Sequence, residues 1–170
     1  MTPEHHHREM EISVEDISFE EVPLEVTVVA SDAVVLLPVG YIAKMDSSQY
    51  HSAALSFYKF ARSEMPVKFA TDPESVFEQR SGDWFAPAML LTDQLMTQHP
   101  NIVAIACGVI SNYVYTLFTG AKKPDVHVDL IVEKTRTQRF VKVTYKGNVD
   151  GLRSIEGAVQ KALEDTSDGQ

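Results

Sequence analysis

Residues 101–123 read NIVAIACGVISNYVYTLFTGAKK, and the fold turns on whether this stretch spans a membrane or fills a core. A bilayer interior asks for ~20 consecutive apolar residues. The apolar run from Ile102 to Phe118 falls short of that. Ser111, Asn112 and Thr116 also interrupt it with groups that are costly at membrane depth. Lys122 and Lys123 would suit a cytoplasmic flank, yet a span here would part strands that read as neighbours in one sheet. The stretch therefore predicts a central helix near 101–118, buried on several sides and ended by Gly120. Ile105 and Ile110 are both expected in the core.

The chain beyond it has a clear pattern. Val126, Val128, Leu130 and Val132 alternate, a polar turn Thr135-Arg-Thr-Gln138 follows, and Val141, Val143 and Tyr145 alternate again. Two strands near 125–133 and 139–146 are expected. Lys146-Gly-Asn-Val-Asp150 then turns into a closing helix near 152–164, with Leu152, Ile155, Val159, Ala162 and Leu163 along one stripe.

Upstream, Asp83 has the form of an N-cap for a helix over Trp84–Gln98, with Pro87 in a first turn that tolerates a missing N–H. Asp46-Ser-Ser-Gln49 reads as the start of a helix near 48–64, carrying Tyr50, Ala54, Phe57, Tyr58 and Ala61 on one face until Pro66 forbids continuation. Val67–Thr71 reads as a short strand, and Asp72-Pro73-Glu74 as another helix start. Near the N-terminus, Ile12, Val14 and Ile17, then Leu24, Val26 and Val28, then the run Ala33–Val39 suggest two to four strands within 10–42. Their short connections predict antiparallel pairing among themselves. The expected architecture is α+β: a single-layer, mostly antiparallel sheet covered by helices, as one domain over 10–164 between flexible tails 1–9 and 165–170.

Composition narrows the function. The 170 residues are 44% apolar and 23% charged, values of a globular chain with a real core. A net charge of −9 argues against binding nucleic acid through its phosphates. The charge is polarised. Residues 1–32 hold nine acids against one base, a net of −8, and residues 122–146 hold seven bases against three acids, a net of +4. That layout predicts an acidic end meeting a basic surface on this hairpin, on a second copy or on a partner. Cys107 is the only cysteine, so no internal disulfide or cysteine-based zinc site is available. With no leader pattern at the start, a reducing cytoplasm is the expected location.

Catalytic patterns are scarce. Cys107 sits between Ala106 and Gly108, and no charged residue lies between Asp93 and Lys122 to activate a thiolate. His51, His99 and His127 fall on different expected elements, and Asp129 and Glu133 share a strand side with His127. His5-His6-His7 reads as a tag remnant or solvated tail rather than a metal tract. No cofactor, metal or catalytic residue is assigned. Arg80-Ser-Gly-Asp-Trp84 is one loop that combines a cation, a glycine, an acid and the only tryptophan. The candidate interaction residues are Arg80, Asp83 and Trp84 in this loop, Lys134, Arg136, Arg139 and Lys142 on the hairpin, and Glu15, Asp16, Glu20 and Glu21 on the acidic strands.

Several segments between Gly82 and Leu163 carry a resemblance: Gly82-Asp-Trp-Phe85, Ile110–Leu117, Val126–Val132, Val141–Gly147 and Gly151-Leu152. Their order, an apolar helix, a strand pair and a Gly-led terminal helix, resembles small effector-associated modules of bacterial conflict and anti-phage systems. The resemblance implies a non-catalytic adaptor that binds a protein partner or itself, with no active site of its own. Two further readings stand beside it: an acidic immunity protein covering a basic toxin or nuclease, and a small enzyme with a dispersed site, which loss of Cys107, His51 and His127 together would test.

Overall fold

A computed structural model describes residues 10–17, 32–40, 49–77, 82–120, 122–134 and 139–164. The chain runs β1 (Glu11–Ile17), β2 (Val34–Leu37), β3 (Gln49–His51), α1 (Ala54–Ala61), β4 (Val67–Phe69), β5 (Ser75–Phe77), β6 (Trp84–Phe85) and β7 (Ala88–Leu91). It continues with α2 (Asp93–Gln98), α3 (Ile102–Leu117), β8 (Val126–Lys134), β9 (Arg139–Gly147), a 3-10 turn (Val149–Gly151) and α4 (Ser154–Glu164). The class is α+β.

The main sheet has the order β1-β9-β8-β7-β2-β4, with β6 pairing the start of β8. Antiparallel ladders β1–β9, β8–β9 and β2–β7 carry most of its paired residues, while β7–β8, β2–β4 and β6–β8 are parallel. Two crossovers explain the parallel pairs: α1 lies between β2 and β4 in the chain, and α2 and α3 lie between β7 and β8.

Alternation sorts each strand into two faces. Val126, Val128, Leu130 and Val132 of β8 join Val141, Val143 and Tyr145 of β9 in one core with Phe57 of α1, Ile110 and Val114 of α3, and Ile155 and Val159 of α4. On the other face Ile131, Phe140, Leu90, Val35, Leu37 and Ile17 form a smaller apolar cluster. The central helix spans 16 residues with Ile102, Ala106, Ile110 and Val114 buried. Among the described residues no helix is long and apolar enough to cross a membrane. Ile105 departs from its expected place: it is 40% exposed on the outer side of α3, whereas Ile110 is fully buried.

The expected helix over Trp84–Gln98 is replaced by β6, β7 and a short α2. Ala88, Met89, Leu90 and Leu91 are all buried because their strand lies between β8 and β2, so burial on both faces overrides helix propensity. Thr92, not Asp83, caps the helix: its Oγ1 accepts from the Leu95 N–H at 3.1 Å, and Glu133 Oε1 accepts from the Asp93 N–H at 3.0 Å. The expected helix near 48–64 contracts to Ala54–Ala61, and Gln49–His51 pairs in parallel with Ser75–Phe77. This pairing also replaces the helix expected after Asp72-Pro73-Glu74, where Val76 and Phe77 favour a strand. The first strands do not pair with one another among the described residues. β1 lies on β9, and β2 lies between β7 and β4. The Leu24–Val28 strand, the Asp46 cap and both tails lie outside the described residues.

The register of β1 on β9 sets Glu11 opposite Lys146 and Glu15 opposite Lys142. Lys134, buried at the end of β8, donates to Asp16 Oδ1 at 3.5 Å. The acidic β1 therefore lies beside the basic β9 inside this chain, and Lys134–Asp16 is the pair among these that comes within ion-pair distance. The turn into α4 is close-packed. Tyr145 donates its hydroxyl to the Asn148 carbonyl at 2.5 Å, and a Cβ on Gly151 would fall on that hydroxyl.

Ile110→Asp should lower stability by more than about 3 kcal/mol by burying a charge without a partner. Ile105→Asp should change it by less than about 1 kcal/mol. Denaturant melts of both variants check the orientation of α3, and equal losses would contradict it.

Candidate functional site

The site begins with a break in a strand. Phe85 lies opposite His127 of β8, and Met89 lies opposite Leu130, so the chain takes four steps where β8 takes three. The extra residue falls at Ala86-Pro87, where proline has no N–H for the ladder. This bulge reverses the alternation. Met89 and Leu91 face the helices beyond it, yet Trp84 faces them before it, and Phe85 is turned to the opposite side, beside His127.

Trp84 is accordingly a core residue. Its ring lies 5.6 Å from Tyr113 of α3 and 6.1 Å from Phe57 of α1, and it is only 6% exposed. The indole is the aromatic plug of the helical core rather than a surface contact.

Phe85 organises the other side. Its ring stacks on His127 with centroids 4.1 Å apart and planes 10° apart, and on His51 at 5.6 Å and 25°. His51 reaches it because β3 is pinned at its neighbour. Tyr50 is buried, and its hydroxyl accepts from the Thr71 N–H at 3.0 Å. The Val39 N–H donates to the Gln49 carbonyl at 2.8 Å and draws the end of β2 to the same place. Gly40 turns the chain there with φ of 72°, a conformation glycine adopts without strain. His51, Phe85, His127 and the Leu37–Gly40 segment line an open cavity of about 260 Å³.

Its polar groups are tied in pairs. His127 Nε2 lies 2.7 Å from Asp83 Oδ2, and a carboxylate can only accept, so the imidazole proton sits on Nε2. Both side chains are about one quarter exposed, at 24% and 23%. Thr144 of β9 donates its hydroxyl to Asp129 Oδ1 at 3.1 Å. Burial pushes the His51 pKa below its ordinary value, and the Asp129 charge opposes the shift only in part. His51 is therefore neutral near pH 7, with its Nδ1 buried.

The chemistry open to this arrangement is recognition or proton transfer. Among the described residues no three histidine, cysteine or acidic side chains converge to hold a metal. Cys107 is remote, packed on the inner side of α3, and burial with the nearby Glu156 charge pushes its pKa up to about 12. It has no thiolate near neutral pH.

None of the described candidate interaction residues lines this cavity, and Asp83 reaches it only through its bond to His127. Lys134 is buried against Asp16, Lys142 is set against Glu15, and Arg139 is exposed at the start of β9. Arg80, Arg136, Glu20 and Glu21 lie outside the described residues. His127 and Asp129 share the cavity as alternation predicts, but Glu133 turns to the cap of α2. Phe85, Thr144 and the approach of His51 are additions from the structure. Phe85 was hidden by the helical reading of 84–98, and His51 by the distance along the chain.

No protein-family model, curated protein or solved structure matches the chain. The cavity does make a direct prediction about pH. Below the ordinary histidine pKa of 6.5 the unfolded chain takes up a proton that folded His51 resists. Unfolding free energy should then fall as pH drops from 6.5 toward the lower folded-state value. His51→Gln should flatten this part of the profile in denaturant titrations between about pH 7 and about pH 5. An unchanged slope would contradict the burial of His51.

Proposed function

We propose that the chain is a non-catalytic recognition module, an adaptor that takes one group of a partner into the His51–Phe85–His127 cavity. The observation that carries this reading is the pairing of the cavity's polar atoms. Asp83 holds His127 and Thr144 holds Asp129, so the groups are fixed in direction before anything binds. The charge layout points the same way. The acids of β1 already face Lys142 and Lys146, and Asp16 already holds Lys134, which leaves the charged strands a structural task. The cavity is then the better seat for recognition. The setting we propose is a bacterial multi-component assembly of the defence type, in the cytoplasm, with a protein partner or a second copy. An acidic inhibitor of a basic toxin would use the same cavity and the same net charge of −9.

A second reading is favoured by the Asp83–His127 pair. A carboxylate that holds one imidazole nitrogen orients the other as a base, the arrangement used in acid–base catalysis. A fragment screen followed by protein NMR separates the two. Compounds that shift the Phe85, His127 and Thr144 resonances should be recovered chemically unchanged. Turnover of a bound compound that disappears in His127→Gln would overturn the adaptor reading in favour of the enzyme.

A further inference from the structure

We infer that the group taken into the cavity is an organic cation, an alkylammonium or guanidinium on a short apolar stem, with Asp129 as its counter-ion. The inference rests on the recognition reading and names its ligand.

The lining decides the sign. Among the described lining residues Asp129 is the one carboxylate, and none of them is a lysine or arginine. His51 adds no positive charge near pH 7, and the His127 Nε2 proton is turned to Asp83. Two cations lie on the same side of the neighbouring strand β9. Lys146 stands between Glu11 of β1 and His127 of β8, and Lys142 between Glu15 and Ile131, and neither lysine lines the cavity. The field inside the cavity is therefore that of a carboxylate in a partly desolvated recess, where an opposite charge is favoured.

The geometry decides the donor. Thr144 occupies Asp129 Oδ1 at 3.1 Å, and among the described residues nothing donates to Oδ2. A carboxylate with one oxygen steadied and the other open suits an N–H donor that carries its own charge, since charge-assisted hydrogen bonds are the strong ones. Leu37, Val39 and Ala88 make the rest of the wall apolar, which fits methylene groups behind the charge. Size agrees. About 260 Å³ lies below the roughly 300–1,000 Å³ of pockets for drug-sized ligands and fits one side-chain-sized group.

Such a cation has two sources, a free small amine or guanidine and an arginine or lysine side chain presented by a partner protein. NMR titration of the full chain with butylguanidine, butylamine, the neutral butylurea, butyrate and an acetylated Gly-Arg-Gly amide tests class and source together. The cations should shift the His51, Phe85 and Thr144 resonances, and butylurea should bind about tenfold more weakly or worse. Asp129→Asn, which keeps the shape, should remove that preference. Thr144→Val should weaken the cations by about threefold or more while leaving the fold's spectrum intact, which guards against an unfolded Asp129 variant. Tighter binding of the peptide than of butylguanidine assigns the cation to a partner, and the reverse assigns it to a free metabolite; either supports the inference. Equal binding of butylurea or butyrate in the cavity overturns the cation while sparing the recognition module. Conversion of a bound probe overturns the module itself. No shift from any probe, or cation binding unchanged in Asp129→Asn, overturns the inference.

Discussion

Pro87 has no N–H to give, and it stands midway along the strand that runs beside β8. The chain absorbs it as one extra residue between Phe85 and Met89, and the two sides of the molecule follow from that step. Before the bulge, Trp84 enters the helical core and Phe85 enters the cavity. After it, Met89 and Leu91 return to the core and Leu90 to the second apolar cluster. Bulges commonly re-aim a side chain beside a site, and here one bulge aims two aromatics in opposite directions.

β8 is the strand that makes this useful. It pairs with β9 along its length, with β6 at its start and with β7 further on. Its valines and Leu130 anchor the core through α3 and α4, and the same alternation delivers His127 and Asp129 to the other face. Stability and the proposed recognition site therefore share one backbone. The core side fixes the strand, and a fixed strand holds the imidazole and the carboxylate in place without a flexible loop.

Much of this was legible in the residues, and the rest was not, for physical reasons. The apolar helix over 101–118, the β8–β9 pair and the closing helix showed themselves through long, clean periodicity. Residues 84–98 misled because Asp83, Pro87 and a run of apolar residues also satisfy the rules for a helix start, and only burial between β2 and β8 decides for strand. Ile105 misled because an apolar residue on a mostly apolar helix carries no label for its side. The −8 and +4 ends left open whether the acidic end meets this hairpin, a second copy or a partner, and register sets Glu11 and Glu15 opposite Lys146 and Lys142 of the same chain. For the site, alternation joined His127 to Asp129, but β6 was hidden, and nothing local links His51 to a residue 76 positions away.

The central claim is that the bulge at Ala86-Pro87 brings Phe85 between two histidines from distant parts of the chain. Nuclear Overhauser contacts from the Phe85 ring to the imidazole protons of His51 and His127 test it most directly. The account predicts contacts to both rings, stronger to His127, whose centroid is 4.1 Å away, than to His51 at 5.6 Å. Contacts from Phe85 to Tyr113 and Phe57 instead would place it in the helical core and contradict the bulge, and the cavity with it.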